Sequence, residues 1–268
     1  MDHLPHLSLA LLASTVVLAA AIQSSQADDD WQKLYDKGTY KNPEGQTLPY
    51  RLMKPETVGP GQKYPLVLFL HGLGERGDDN AAQLVHGAAD FATAENRRKY
   101  PCFVVAPQCH PDDTWVPEAS LFSVRPMNEQ PTESLKLALE LVDQLAADLP
   151  VDPQRIYITG LSMGGFGTWE SIIRRPDFFA AALPVCGGGD PAYAEAIKNL
   201  PIWAFHGDAD NVVVPARTKT MIEAVQKAGG TPKMTIYPGV AHNSWAQTYA
   251  DPEAMRWLFS QTKPGDLP

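Results

Sequence analysis

Short, continuously apolar runs alternate along this chain with helical patterns, and this alternation is what most constrains the fold. A continuous apolar run is expected of a strand that is buried on both faces of a parallel sheet. Apolar residues at helical spacing occupy residues 133–149, after an expected N-cap at Thr132, and residues 216–228. Strands that alternate with helices predict a mostly parallel central sheet with helices on both faces. The apolar runs are residues 65–70, 103–106, 156–159, 180–185, 202–205 and 234–237.

The chain before these runs has a different pattern. Residues 39–41 and 48–53 alternate in polarity on either side of a turn at residues 42–45, which predicts an N-terminal antiparallel hairpin. With 268 residues, 44% of them hydrophobic and 20% charged, the chain suits one large domain, which we place at residues 28–268. Only about fifteen residues join the fourth and fifth apolar runs, so no lid domain is expected there.

The first residues have the pattern of a targeting segment. Residues 7–22 are almost unbroken apolar sequence, and Ser25 and Ala27 supply small residues where a signal peptidase cleaves. We therefore predict a signal peptide at residues 1–27 and a secreted or periplasmic protein, with no stable membrane association once the signal is cleaved. No Lys or Arg precedes the apolar run, so an uncleaved membrane anchor is the alternative.

Charge and cysteine content exclude some classes of function. The net charge is -9, from 22 basic and 31 acidic residues, and no basic run suggests a nucleic-acid partner. Cys102 and Cys109 lie at the two ends of a predicted strand, about 20 Å apart, so they cannot form a disulfide. Pairing of Cys109 with Cys186 depends on whether their loops converge. None of the three has metal-ligand spacing, and buried free thiols are expected.

One strand-to-helix turn carries a candidate nucleophile. Residues 160–165 read GLSMGG, directly after an apolar run and before a helical segment. A serine between glycines in this context is typical of a nucleophile elbow, a tight turn that exposes the hydroxyl of Ser162. The alternative is a glycine turn without chemistry.

Other candidate residues follow the neighbouring strands, because ligands bind beyond the carboxyl ends of parallel strands. After residues 65–70 comes HGLG, where the backbone N–H of Leu73, together with that of Met163, is expected to bind a substrate oxyanion. His71 is expected to hold this loop. A plain glycine turn is the alternative.

An acid and a base follow the last two strands. Asp208 and Asp210 both follow residues 202–205, and either can orient an imidazole or cap a turn. His242 follows residues 234–237 and can serve as general base for Ser162. The chain order of serine, acid and histidine is the order found in α/β-hydrolase triads.

These motifs resemble the α/β-hydrolase superfamily over most of residues 35–262. Within it, the chain is similar to secreted carboxylesterases related to dienelactone hydrolases, to prolyl oligopeptidase catalytic domains and to polyhydroxybutyrate depolymerase-like esterases. The family pattern His-Gly-x-x-Asp-x-x-Val falls on Asp210, so the resemblance selects Asp210 over Asp208. It implies an α/β-hydrolase fold and the set Ser162, Asp210 and His242, but it does not specify a substrate.

Two tryptophans are candidates for the substrate pocket. Residues 107–131 form a long connection with little periodicity that leaves the catalytic edge of the sheet. We expect Trp115, in this connection, to wall the pocket; the alternative is that the connection packs back onto the protein. Trp245, close to the base, is a second candidate.

The sequence thus predicts a serine carboxylesterase that needs neither metal nor cofactor. Ser162 is the nucleophile, and expected substrates are small-molecule or polymer-linked esters with short-chain or aryl groups, including feruloyl or acetyl esters of polysaccharide. A serine peptidase or acyltransferase, a polyester depolymerase and a non-catalytic binding protein on the same fold are the alternatives.

Overall fold

A central sheet of eight strands organises the part of the chain that the computed structural model describes, residues 31–263. The predicted signal peptide lies outside the described residues. The strands are β1 (Tyr35–Lys41), β2 (Thr47–Met53), β3 (Tyr64–Leu70), β4 (Phe103–Pro107), β5 (Val151–Leu161), β6 (Ala181–Val185), β7 (Trp203–Gly207) and β8 (Lys233–Tyr237).

The strand order is β1-β2-β4-β3-β5-β6-β7-β8. The β1 and β2 strands form an antiparallel hairpin, and β2 also pairs antiparallel with β4. All other pairs are parallel. The predicted hairpin and mostly parallel sheet are therefore confirmed, and each apolar run lies on its expected strand.

Eight α-helices join or cover these strands within residues 31–263. They are α1 (Ala88–Ala92), α2 (Ala94–Lys99), α3 (Glu118–Phe122), α4 (Glu133–Asp148), α5 (Met163–Arg174), α6 (Ala216–Lys227), α7 (Trp245–Ala250) and α8 (Pro252–Ser260). Short 3-10 helices occupy Trp31–Leu34, Leu73–Glu75, Ala82–Leu84 and Pro191–Ile197.

The core has two layers, one on each face of the sheet. In β3, Leu66, Leu68 and Leu70 pack on one side with apolar residues of α4, α5 and α6. Val67 and Phe69 point to the other side, with residues of α1, α7 and α8. Side chains of a strand alternate between faces, so an unbroken apolar run is needed where both faces are covered. The predicted covering of both faces is confirmed.

The start of α4 differs from the local prediction. Thr132 occupies the N-cap position, as expected, but its side chain makes no capping hydrogen bond. The backbone N–H of Ser134 instead donates to Asp113 Oδ2 at 2.7 Å. An acceptor from the 107–131 connection thus satisfies a free N–H at the helix start, which a local sequence rule does not anticipate.

The three cysteines are free and buried, so Cys109 and Cys186 do not pair. Burial raises the pKa of each thiol to about 12. Each is therefore protonated and unreactive at neutral pH.

None of the helices within residues 31–263 has both the length and the apolar composition to cross a membrane.

Candidate active site

Ser162 lies on a strained turn between β5 and α5. Its backbone has φ 53° and ψ -117°, a conformation that residues other than glycine rarely adopt. The two strands and the helix meet so closely that side chains are excluded: a Cβ on Gly160 would lie 2.4 Å from Gly164 O, and one on Gly164 would lie 2.0 Å from Leu70 O. The turn therefore requires glycine on both sides of Ser162, as the sequence predicted.

Ser162, His242 and Asp210 form a continuous hydrogen-bonded series. Ser162 Oγ lies 2.9 Å from His242 Nε2, and His242 Nδ1 lies 2.7 Å from Asp210 Oδ2. Asp210 is buried, whereas His242 is partly exposed. With the Nδ1 proton held by Asp210, Nε2 is free to accept the proton of the serine hydroxyl.

The two candidate aspartates have different surroundings. Asp210 Oδ1 accepts hydrogen bonds from the backbone N–H groups of Val212 and Val213 at 2.9 and 3.0 Å, which leaves Oδ2 for His242. Asp208 accepts the backbone N–H of Gly239 at 2.6 Å and so ties down the loop before His242. The geometry thus brings Asp210, and not Asp208, to the histidine.

A second histidine, which the sequence did not single out, also contacts Asp210. His206 Nε2 lies 3.2 Å from Asp210 Oδ2 and 2.7 Å from Val213 O, and Nδ1 lies 2.8 Å from Thr218 Oγ1. Burial lowers the pKa of His206, which favours the neutral ring. His206 is therefore a buried support for Asp210 and its loop.

The two predicted oxyanion donors, the backbone N–H groups of Leu73 and Met163, both lie at the start of a helix. Met163 is the first residue of α5 and Leu73 the first of its 3-10 helix, so neither N–H has an acceptor within its own helix. The loop before Leu73 lies beside the nucleophile: a Cβ on Gly72 would be 3.7 Å from Ser162 Cβ. The N-terminus of α5 adds partial positive charge at the same place.

Hydrogen bonds of His71 and Trp115 hold the loop that carries Leu73 in place. The backbone N–H of Cys109 donates to His71 Nε2 at 2.9 Å, so the ring proton is on Nδ1, 2.6 Å from Gly72 O. Burial lowers the pKa of His71 to about 4. The indole N–H of Trp115 donates to His71 O at 3.0 Å.

The prediction that Trp115 walls the substrate pocket is wrong. Trp115 is 0% exposed, because the part of the connection around Trp115 and Val116 packs back onto the protein, whereas Phe122 and Val124 are exposed. Val116 and Leu121 of this connection contact Phe166 and Val213. Periodicity does not reveal which side of an irregular segment faces the core.

Trp245 is partly exposed beside the candidate base. Its ring centroid lies 5.4 Å from that of His242 and 5.3 Å from that of His86. His86 Nε2 in turn lies 3.8 Å from Glu75 Oε1. Neither Glu75 nor His86 was identified from the sequence, because neither follows a strand directly or belongs to a periodic pattern.

The thiol of Cys186 lies close to the side chains of Asp210 and His242. One potential ligand atom each from Cys186, Asp210 and His242 lies within 4.8 Å of the others. Cys186 is a protonated thiol, however, and the other two side chains already share a hydrogen bond. This chemistry fits a serine-histidine-acid set better than a metal centre, which needs deprotonated ligands.

Comparison with known proteins identifies the family. The sequence pattern of the phospholipase/carboxylesterase family matches residues 55–253. The chain belongs to this family. The expected α/β-hydrolase fold is confirmed by a crystal structure of a thermostable esterase, which superposes with a TM-score of 0.81 and is 42% identical. That match covers 86% of this chain and 64% of the esterase chain.

Two relatives have more specific names. A poly(3-hydroxyalkanoate) depolymerase C of Paucimonas lemoignei is 31% identical over 191 residues, covering 59% of this chain and 44% of the relative. A bifunctional acetylxylan esterase/xylanase of Neocallimastix patriciarum is 26% identical over 175 residues, covering 65% of this chain and 23% of the relative. The chain thus spans less than two thirds of the length of the thermostable esterase, of the depolymerase and of the bifunctional acetylxylan esterase/xylanase.

Proposed function

We propose that this protein is a serine carboxylesterase. The observation that carries the proposal is the hydrogen-bonded series from Ser162 Oγ through His242 to the buried Asp210, at the carboxyl edge of the sheet. An esterase needs this arrangement because a serine hydroxyl is a weak nucleophile until a base accepts its proton. Membership of the phospholipase/carboxylesterase family supports the same reaction class.

In this mechanism the reaction has two halves. Ser162 Oγ bonds to the ester carbonyl carbon while its proton moves to His242 Nε2. The N–H groups of Leu73 and Met163 stabilise the resulting oxyanion. The bond to the alcohol then breaks, and His242 Nε2–H protonates the departing oxygen. His242 next takes a proton from water while the water oxygen bonds to the acyl carbon. The bond from that carbon to Ser162 Oγ then breaks, His242 Nε2–H returns the proton to Oγ, and the acid is released.

The substrates in this proposal are esters with short-chain or aryl acyl groups, including feruloyl or acetyl groups linked to polysaccharide. The named activities of the two relatives, on acetylxylan and on poly(3-hydroxyalkanoate), support an ester of a polymer. The 17 residues of the β6–β7 connection, 186–202, include only one 3-10 helix and hold no lid domain. An uncovered site admits bulky or polymer-linked groups.

The first experiment compares hydrolysis of p-nitrophenyl acetate, butyrate and octanoate, methyl ferulate and a polyhydroxyalkanoate film. We expect turnover to favour the short or feruloyl esters. Ser162→Ala should lose at least about 10⁴-fold in kcat/KM, because the residual rate comes from binding and the oxyanion donors alone. Full activity in Ser162→Ala would refute the proposed nucleophile.

A matched pair of variants tests the acid. Asp210→Asn should lower kcat about 10⁴-fold, because an amide disturbs the histidine tautomer and does not stabilise the imidazolium. Asp208→Asn makes the same chemical change two residues away and keeps an acceptor for Gly239. It should leave the rate almost unchanged. Equal losses in the two variants would contradict the assignment of Asp210.

Export is part of this proposal and depends on the apolar run at residues 7–22. Cleavage after Ala27 would give a protein that begins at Asp28. The intact mass of protein recovered from the medium or periplasm tests this, and an intact N-terminus retained in the membrane fraction would support the anchor instead.

A further inference from the structure

We propose that Glu75, His86 and Trp245 form a subsite that binds the alcohol part of the ester and selects a hydroxylated alcohol such as a sugar. This inference rests on the proposed esterase function and deepens it. It concerns three side chains outside the serine-histidine-acid set. They come from the loop after β3, the segment before α1, and the start of α7.

The three side chains form a continuous group, with Glu75 at the Ser162 end and Trp245 at the His242 end. The ring of His86 is in contact with the ring of Trp245, and His86 Nε2 lies 3.8 Å from Glu75 Oε1. The other carboxylate oxygen of Glu75 faces Gly72: a Cβ there would lie 2.8 Å from Glu75 Oε2 and 3.7 Å from Ser162 Cβ. The carboxylate is therefore close to the reacting serine.

The chemistry of the reaction assigns this place to the alcohol. His242 must protonate the departing oxygen, so the alcohol lies on the histidine side of the scissile bond. Trp245 contacts His242 through its ring, 5.4 Å between centroids. An alcohol whose oxygen is at His242 Nε2 therefore extends towards Trp245 and the groups beside it.

The subsite has hydrogen-bonding capacity that the described protein does not use. Within residues 31–263, the Glu75 carboxylate, the His86 ring and the indole N–H of Trp245 make no hydrogen bonds, and the contact between Glu75 and His86 is too long to be one. The Glu75 side chain is nevertheless only 13% exposed. A carboxylate kept largely from water with unused acceptor capacity is suited to a ligand that donates hydrogen bonds.

A polyol matches this set better than an alkyl or a cationic alcohol. Sugar hydroxyls can donate to Glu75 and accept from His86 and the indole N–H, while the C–H face of the ring packs on Trp245. An alkyl alcohol would leave the carboxylate desolvated and unpaired. A cationic alcohol would have to share the Glu75 carboxylate with the His86 ring, whose Nε2 lies 3.8 Å from Glu75 Oε1.

The test compares two acetate esters of similar ring size, a mono-acetylated methyl xyloside and cyclohexyl acetate. Both give the same acetyl-enzyme, and kcat/KM covers the steps up to its formation, so a difference in kcat/KM reports binding and acylation, in which the alcohol is still attached. We expect the wild type to favour the xyloside at least about tenfold, as one or two hydrogen bonds to a charged group provide. Glu75→Gln should remove most of this preference, and His86→Gln part of it.

The control is Glu44→Gln, which removes one carboxylate from the exposed turn between β1 and β2 and should leave both rates unchanged. Equal rates on the two esters in the wild type, or equal losses on both in Glu75→Gln, would overturn the subsite. So would acetylcholine as the preferred ester, with the preference lost in Glu75→Gln. Failure of the wild type to hydrolyse p-nitrophenyl acetate would instead refute the proposed function, whereas turnover of p-nitrophenyl acetate without xyloside preference refutes only the subsite.

Discussion

At the scale of single residues, one buried histidine shows how the site depends on protonation. His71 accepts a hydrogen bond from the Cys109 N–H through Nε2, and its own carbonyl accepts the Trp115 indole N–H. Protonation of His71 Nε2 would place its new N–H against the backbone N–H of Cys109, with no acceptor between them in a buried space. The ring therefore has to stay neutral for the loop that carries Leu73 to keep its position, and burial lowers its pKa to about 4.

This pKa predicts a loss of stability in mild acid. The unfolded histidine takes up its proton near pH 6.5, whereas the folded one stays neutral down to about pH 4. Between these values the unfolded state holds one more proton than the folded state. The free energy of unfolding therefore increases as the pH rises through this window and decreases as the pH falls. We expect His71 to account for about 3 kcal/mol over this window.

Urea unfolding of wild type and His71→Gln at intervals from pH 4 to 7.5 measures this contribution. Carboxylates titrate in both proteins, so they cancel in the difference between the two curves. That difference should shrink as the pH falls from 6.5 to 4, because glutamine does not titrate. Parallel curves would contradict the assigned protonation state.

At the scale of elements, the 107–131 connection forms hydrogen bonds with both the start of α4 and the loop after β3. Asp113 Oδ2 accepts the Ser134 N–H at the start of α4, and Asp113 O accepts a hydrogen bond from Arg76 Nη1. Further along, Trp115 reaches His71 O. A segment without a periodic pattern thus positions the loop that carries Leu73, because its hydrogen bonds join elements that are distant in sequence.

Replacing Trp115 by phenylalanine tests this role. The change keeps an aromatic ring but leaves the buried His71 carbonyl without the indole donor. We expect a loss of about 1–3 kcal/mol in the free energy of unfolding. We also expect a lower kcat with little change in KM, because a displaced Leu73 N–H weakens binding of the oxyanion more than binding of the substrate.

Trp169→Phe is the matched control. Trp169 is also fully buried, but its indole N–H has no hydrogen-bond partner among residues 31–263, so the same substitution removes only packing. Its effect on kcat should be small. If the two variants lose kcat equally, Trp115 acts only through packing and the proposed support of the loop is wrong.

At the scale of the whole molecule, two core layers enclose the sheet and also enclose the thiols. Cys102 and Cys186 belong to the layer with α1, α7 and α8, and Cys109 to the layer with α4, α5 and α6. All three are free. Stability therefore comes from burial in these layers and not from a disulfide.

Thiol titration with Ellman's reagent follows from this arrangement. The native protein should react with almost none, because the thiols are buried and burial raises their pKa to about 12. Three thiols per chain should react after unfolding in guanidinium chloride without reductant. A count of one would indicate a disulfide and contradict the structure.

Much of the fold and of the site could be predicted because it depends on local pattern. The apolar run at residues 65–70 predicts β3, since only a strand covered on both faces needs such a run. Gly160 and Gly164 mark the turn at Ser162, since no other residue fits there. Sequence spacing did not distinguish Asp208 from Asp210 as the acid, because both follow the same strand and the spacing does not show which one a histidine in the next loop contacts.

Local sequence pattern predicted the strands, the turn at Ser162 and the chain order of serine, acid and histidine, and the family resemblance selected Asp210 as the acid. Periodicity and turn chemistry are local, and the carboxyl ends of parallel strands meet at one edge. The burial of Trp115 is visible only in the folded structure. So is the series of contacts that runs from Glu75 through His86 to Trp245, which lies beside His242. Those placements depend on packing between segments far apart in the chain, and neither spacing nor propensity specifies which side chains of an irregular segment face the core.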